Sequence, residues 1–237
     1  MMDAPPAPHR KLIIAIDGPA GAGKSTIASR LARKFEYVNL ESGAMYRALA
    51  LKAIERDTSF DDEAALRVLA EQSRIQLEPA LGGNRTLLDG RDVSARIRER
   101  DVTEAASRVS VHPAVRAWMV ARQQEMGANG GVVMEGRDIG TKVFPGADVK
   151  IFLDADPVVR EQRRLAQQRA GQQKITDAMA ASVVAELRDR DRRDRTRATS
   201  PLVAAPDAVV IDSTSLTEDQ VLTQIEALAQ KKLDAQK

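Results

Sequence analysis

The chain has 237 residues, 43% of them hydrophobic and 30% charged, with 36 basic and 34 acidic residues for a formal net charge of +2. That is enough apolar side chain for one large core with at most a small insertion, and it argues against both a disordered chain and three ordinary domains. Cysteine is absent, which removes disulfides, thiolate catalysis and cysteine-based zinc sites and fits a reducing cytoplasm; no run approaches the roughly 18 apolar residues of a membrane span.

The opening MMDAPPAPHR (1–10) is rich in proline and alanine, lacks the apolar core of a signal peptide, and reads as a loose tail. KLIIAID (11–17) is an unbroken apolar run ending in a carboxylate and then glycines, the pattern of a buried parallel strand. Over 24–36 the apolar positions Ile27, Leu31 and Phe35 recur at i, i+4, i+8, which predicts a helix with one buried stripe. YVNL (37–40) reads as a second strand, and Met45, Leu49 and Ala53 mark a second helix behind it. Between roughly 61 and 100 the rhythm changes: RIQLEP, GGN and RTLLDGRDV predict a small antiparallel β insertion. GVVMEG (131–136), VKIFLDA (149–155) and AVVID (208–212) repeat the short apolar run that ends in acid or glycine. Five such strands separated by helices predict an α/β fold with a doubly wound parallel sheet. Asp156-Pro157 and Thr217-Glu218-Asp219 mark two helix starts.

Directly after the first strand stands Gly18-Pro19-Ala20-Gly21-Ala22-Gly23-Lys24-Ser25, a full match to G-x-x-x-x-G-K-[ST] in its required strand-to-helix context. Glycines let backbone N–H groups curl around phosphate oxygens, the helix start adds positive potential, Lys24 neutralises charge, and the Ser25 hydroxyl can ligate Mg²⁺. The expected ligand is a nucleoside triphosphate with magnesium. Such a loop does not say where the γ-phosphoryl goes, so helicase, switch GTPase and small-molecule kinase all remain open. The absence of an Asn-Lys-x-Asp motif lowers the GTPase reading.

Two further segments fall at carboxyl ends of strands, where open α/β sheets bind ligands. In ESGAMYR, Ser42 and the helix start lie beside the loop, and Arg47 can reach an anion there or simply face solvent. In Glu135-Gly136-Arg137-Asp138-Ile139-Gly140, Arg137 offers a fork for phosphate and Asp138 an acceptor for an amino or hydroxyl group; a surface salt-bridging turn is the alternative. Asp89-Gly90-Arg91-Asp92 repeats the tripeptide inside the insertion and reads as a turn.

RDRDRRDRTR (188–197) holds six arginines and three aspartates. Thr176 as a cap and the stripe Met179, Val183, Leu187 predict that it continues a helix, on which Arg190, Asp194 and Arg197 share one face with Arg193 close by. Arg188, Arg192 and Arg195 point elsewhere, free to pair with neighbouring aspartates. A solvated, self-paired helix and an RNA-binding tract are the competing readings. Charge tips the balance: bringing a triphosphate to a monophosphate gathers about six negative charges, beyond what one lysine and one magnesium offset. A mobile helix bearing arginines would supply the rest and exclude water. No general base stands out, and a monophosphate acceptor, with a second pKa of about 6, needs none.

These residues resemble the bacterial cytidylate kinases, through IIAIDGPAGAGKST, SGAMYRALA, DVTEAASRVSVHPAVR, EGRDIGTKVFPGADVKIFLDA and RDRRDRTRATSPLVAAPDAVVIDST. The resemblance implies a single P-loop kinase domain over 11–237, with core segments 11–60, 101–156 and 201–230, a monophosphate-binding insertion at about 61–100 and a helical lid at about 157–200. It implies transfer from Mg-ATP to CMP and dCMP, with the ATP loop running from Gly18 to Thr26. Ser42, Arg47 and Arg137 are then ligands of the acceptor's phosphate, and Ser107, Arg116, Asp138 and Arg197 read cytosine. Arg190 and Asp194 lie near the sugar and the transferred phosphoryl, completing a catalytic set with Lys24 and Arg137. The chemistry agrees: a carboxylate accepts from the cytosine amino group while Arg116 and Ser107 donate to the ring. Glu41 and Glu135 stand where the family pattern has aspartate, which leaves the carboxylate position open. Asp17 suits either a metal's water shell or a structural role. A cytoplasmic monomer without nucleic-acid or membrane partners is expected; a kinase of broader UMP/CMP choice and an ATP-dependent nucleic-acid binder are the rivals. His9 and His112 carry no catalytic signal, and Trp118 reads as packing.

Overall fold

Alternation along the first strand sets the layers. In β1 (Ile13–Asp17), Ile14 and Ile16 pack with α1 (Lys24–Phe35) and α8 (Glu218–Asp234), whereas Ala15 faces the opposite side. The computed structural model describes residues 10–80, 83–170 and 176–236. The five predicted strands form one parallel sheet, in the order β2 (Val38–Glu41), β6 (Val132–Gly136), β1, β7 (Val149–Asp154), β8 (Val209–Asp212). Helices cover both faces. On the side away from α1 and α8 lie α2 (Ser42–Glu55), α4 (Arg100–Val109) and α5 (Pro113–Gly127), sharing a core of Met45, Leu49, Val102, Val109, Val115 and Met119. Trp118 packs against that core, and the His112 ring lies 2.7 Å from the Phe60 carbonyl at the start of α5, as their sequence setting suggested.

The insertion differs from the expectation in its first part. Residues 63–71 form a helix, α3 (Glu63–Glu71), capped by Asp62 and burying Leu66, Leu69 and Ala70 at helical spacing. The antiparallel unit follows as β3 (Ile75–Ala80), β4 (Gly83–Leu88) and β5 (Arg91–Asp92). Gly82 of the GGN segment lies outside the described residues. The DGRD segment is indeed a turn, with Asp89 and Gly90 both left-handed, as a two-residue hairpin loop requires. Buried Lys52 of α2 donates to the Gln72 carbonyl and pairs with Asp89, which ties the hairpin to the core.

The lid segment is a pair of helices, α6 (Pro157–Ala170) and α7 (Asp177–Thr196), the second capped by Thr176. The arginine-rich stretch therefore continues a helix. Its stripe is weaker than predicted: Leu187 is buried but Met179 is 40% exposed, because the first turns of α7 meet little apolar surface. Arg188 pairs with Glu161 of α6 rather than with a neighbouring aspartate, Arg192 pairs with Asp189, and Arg195 reaches Asp154 at 3.8 Å. Of the predicted tail, residues 1–9, including His9, lie outside the described residues; Arg10 is held by Asp148. Among the described residues, no helix is long and apolar enough to cross a membrane.

Candidate functional site

The carboxyl ends of β1, β2 and β6 open onto one cleft, which encloses about 1020 Å³. Its floor is the loop between β1 and α1. Gly18 sits at φ +147° with the Leu153 carbonyl oxygen 1.9 Å from where a Cβ would stand, and Gly21, at φ +79°, abuts the Arg160 backbone. Larger residues fit at neither position. Helix α1 starts with no side-chain cap and no acidic residue in its first turn, so its first N–H groups and positive end remain available to an anion. Lys24 is buried and donates to the Pro19 carbonyl at 2.7 Å. Burial, with Arg137 and Arg190 adding to it, pushes Lys24 down to about 7. An amine in that state is set to gain an anionic partner.

Ser25 donates to Glu135 Oε1 at 2.8 Å. One hydroxyl and one carboxylate do not make a protein cage, and no cluster of three His, Cys, Asp or Glu side chains occurs among the described residues. The pair does suit Mg²⁺, which keeps several waters and takes its remaining ligands from phosphate oxygens. Asp17 braces the backbone: its two carboxylate oxygens accept the N–H groups of Ile139 and Gly140 at 2.8 and 2.7 Å, fixing the wide π-helical turn Ile139–Val143 that follows β6. The structural role is the one observed. Burial outweighs those bonds and pushes the Asp17 carboxyl up to about 6.

The second wall gathers residues from four separated segments. Arg116 of α5, 2% exposed, donates to Asp138 and to the Ser110 carbonyl, and its guanidinium lies 5.6 Å from the Tyr46 ring centroid. Arg197, just past α7, donates to the Ser200 carbonyl and stands 3.9 Å from Asp138 and 3.5 Å from Asp194. Arg137 donates to Asp194 at 2.8 Å. Ser107 of α4 accepts from Arg193 at 3.0 Å. Arg116 Nε and an Arg197 Nη remain buried without partners. Such orphans cost stability unless something fills the wall, and several donors converging on one polar wall define a ligand site.

Between floor and wall stands Arg190, which burial and the Arg137 guanidinium push down to about 10. Burial acts against the Asp194 carboxylate too, but Arg137, Arg190 and Arg197 outweigh it and hold it below its ordinary value. Arg47 folds back onto Glu41 at the start of α2 and lines the cleft, so it is not on a solvated face. Ser42 spends its O–H on the Glu135 carbonyl at 2.8 Å, which leaves its N–H and lone pairs for a ligand.

Most of the sequence-predicted residues thus meet in one cleft: Lys24, Ser25, Thr26, Ser42, Arg47, Ser107, Arg116, Arg137, Asp138, Arg190, Asp194 and Arg197 all line it. The sequence reading passed over Arg98, Arg164, Asn39 and Asn84, which line it as well. Arg98 belongs to a short 3-10 turn and Asn84 to the hairpin, neither of which carries a motif; Arg164 follows a helix start whose face could not be assigned without the fold. A last contact spans lid and floor. Asp191 accepts from Arg160 and from the Ala20 N–H, while Arg160 donates to the Ala20 carbonyl, so lid side chains engage both backbone polar groups of a loop residue.

A model of the family described as "Cytidylate kinase" matches residues 14–231. A cytidylate kinase of Pasteurella multocida (strain Pm70) is 44% identical over 224 residues, covering 94% of this chain and 97% of that protein. One from Solibacter usitatus (strain Ellin6076) is 46% identical over 213 residues, 90% of each chain. Among solved structures, an uncharacterised protein from Eubacterium ventriosum ATCC 27560 superposes with a TM-score of 0.51 over 93% of this chain and 99% of that one, at 12% identity, a likeness of fold alone.

Proposed function

The chain belongs to the cytidylate kinase family, and from that premise we propose a division of labour for the transfer of the γ-phosphoryl of ATP to CMP and dCMP. The loop Gly18 to Thr26 and the start of α1 hold the triphosphate, and Lys24 neutralises its transferable end. Ser25, backed by Glu135, would hold Mg²⁺, which when bound supplies charge neutralisation at the phosphates. Arg47, Arg137 and the α2 start hold the acceptor's phosphate, with Ser42 fixing that corner. Its oxygen is ionised at neutral pH and attacks in line: the new P–O bond forms as the bond to the β-phosphate's bridging oxygen breaks, leaving ADP and the nucleoside diphosphate.

Arg137 and Arg190 flank the path, where charge spreads over the transferred group, and Asp194 orients Arg137. Asp138 accepts the cytosine amino group, Arg116 and Ser107 donate to the ring, and Arg197 closes that end. Residues 61–100 serve as the monophosphate-binding insertion and 157–200 as the lid. Because α7 turns Arg190, Asp194 and Arg197 into the cleft, we assign this helix no nucleic-acid partner; a cytoplasmic monomer is the form proposed.

The observation that carries the reading of the base is the buried Arg116–Asp138 pair with the unpaired Nε–H of Arg116. Uracil would set an oxygen against Asp138 in place of the amino donor, and sites built to pair a polar group reject its absence strongly. The test is ADP release from Mg-ATP with CMP, dCMP, UMP, AMP or GMP supplied separately, beside an RNA control. Turnover with CMP and dCMP alone is expected; turnover that depends on RNA would refute the proposal.

A further inference from the structure

The proposed base readers include one residue whose chemistry is ambiguous by itself. A serine hydroxyl both donates and accepts, so Ser107 alone can face an acceptor or a donor on the base. The structure narrows the choice from outside. Arg193 Nε of α7 donates to Ser107 Oγ at 3.0 Å, and Ser107 is 5% exposed on α4. Among the described residues the Ser107 O–H has no acceptor, although Thr103 stands one turn earlier on the same helix; its side chain only accepts, from Arg193. An arginine has no lone pair to offer in return.

Resting on the reading of Ser107 as a base contact, we propose that Arg193 is a positioning residue that biases the Ser107 hydroxyl toward donation and thereby favours cytosine over uracil. The guanidinium takes one of the two lone pairs, and because no protein group among the described residues accepts the hydroxyl proton, that proton needs an acceptor inside the cleft, whereas the second lone pair can stay empty at little cost. Cytosine presents two acceptors, N3 and the O2 carbonyl; uracil keeps O2 but carries a proton on N3. Against the uracil N3–H the serine proton is left buried and unpaired, which costs affinity. The bond spans lid and core, so the choice of base is completed only when α7 lies against α4. The helices are already held together further out, where Arg100 of α4 donates to Ser182 and Glu186 of α7. Arg193 is therefore not needed as a mere clasp.

Steady-state kinetics of Ser107→Ala, Arg193→Gln, Arg193→Lys and the Ser107→Ala/Arg193→Gln double variant decide the matter, with melting curves showing that each is folded. Arg193→Gln is expected to raise the KM for CMP about tenfold, to change the KM for UMP far less, to leave the KM for ATP in place, and to add nothing in the Ser107→Ala background. Arg193→Lys should stay impaired for CMP, since an ammonium lacks the fixed Nε–H direction. If Ser107→Ala weakens CMP while Arg193→Gln does not, or adds its full factor on top, the positioning role is refuted and the base reading stands. Full rescue by lysine refutes it equally, leaving charge alone. If Ser107→Ala leaves CMP untouched, the reading of Ser107 falls and the positioning role with it.

Discussion

The floor and the wall of the cleft solve the same problem, holding a polyanion, by opposite means. The floor is made mainly of backbone: consecutive N–H groups, three glycines (Gly18, Gly21 and Gly23) at positive φ, and a helix start, all within nine residues of chain. The wall is made of side chains drawn from α4, α5, the turn after β6 and the end of α7, each held by another. A backbone site binds any phosphate; a wall of interlocked guanidinium and carboxylate groups can tell one base from another. Generic affinity and specificity are thus physically separate regions.

The sharpest way to probe that separation is to remove the floor's one charge. Lys24→Ala is expected to lower kcat about 10³-fold with every acceptor alike, read by ADP release. A loss confined to CMP would erase the distinction. Asp17 joins the two regions, since it ends β1 and holds the turn that carries Asp138. Burial pushes the Asp17 carboxyl up to about 6 in the folded protein, whereas in the unfolded chain it lies at the ordinary 3.8. Stability should therefore fall as pH rises through that window, by up to about 3 kcal/mol. Denaturant midpoints between pH 4 and pH 7 should show this slope in the native chain and lose it in Asp17→Asn.

A change in the wall should touch choice more than rate. Asp138→Asn keeps the shape, offers the cytosine amino group a poorer acceptor and leaves buried Arg116 without its carboxylate. The ratio of kcat/KM for CMP over UMP is expected to drop about 30-fold; an unchanged ratio would take Asp138 out of the reader set. The smallest effect belongs to the outer face of the same helix. Arg188→Ala loses the pair with Glu161, an exposed arginine on a largely covered carboxylate, neither of them lining the cleft, so kcat should stay put while the melting temperature falls slightly. A large fall in kcat would mean that the arginines of α7 act as a block rather than by face.

That last comparison also shows how far the sequence could be read. Helical spacing put Arg190, Asp194 and Arg197 on one face, and all three line the cleft, although α7 ends at Thr196 and Arg197 is the extended residue beyond it. Spacing did not reveal that Arg188 would find Glu161 on another helix, nor that Arg193 would reach Ser107, 86 residues away in sequence. Periodicity describes one element at a time, whereas a partner on another element depends on how the two pack. The same limit hid α3, whose Leu66, Leu69 and Ala70 gain meaning only against α5 and the α2 core.

The sequence by itself determined what is local: the five apolar strands, the phosphate loop between a strand and a helix, and the capped start of the arginine-rich helix. Each is written in neighbouring residues, because hydrophobic period, glycine placement and capping act over a few positions. Only the tertiary structure decided that Asp17 would brace the turn after β6, that Arg116 and Asp138 would be buried as a pair, and that Arg98 and Arg164 would join the cleft. Charges carry no periodic signal of their destination; which of them meet is settled when the sheet brings the strand ends, and the helices behind them, to one side.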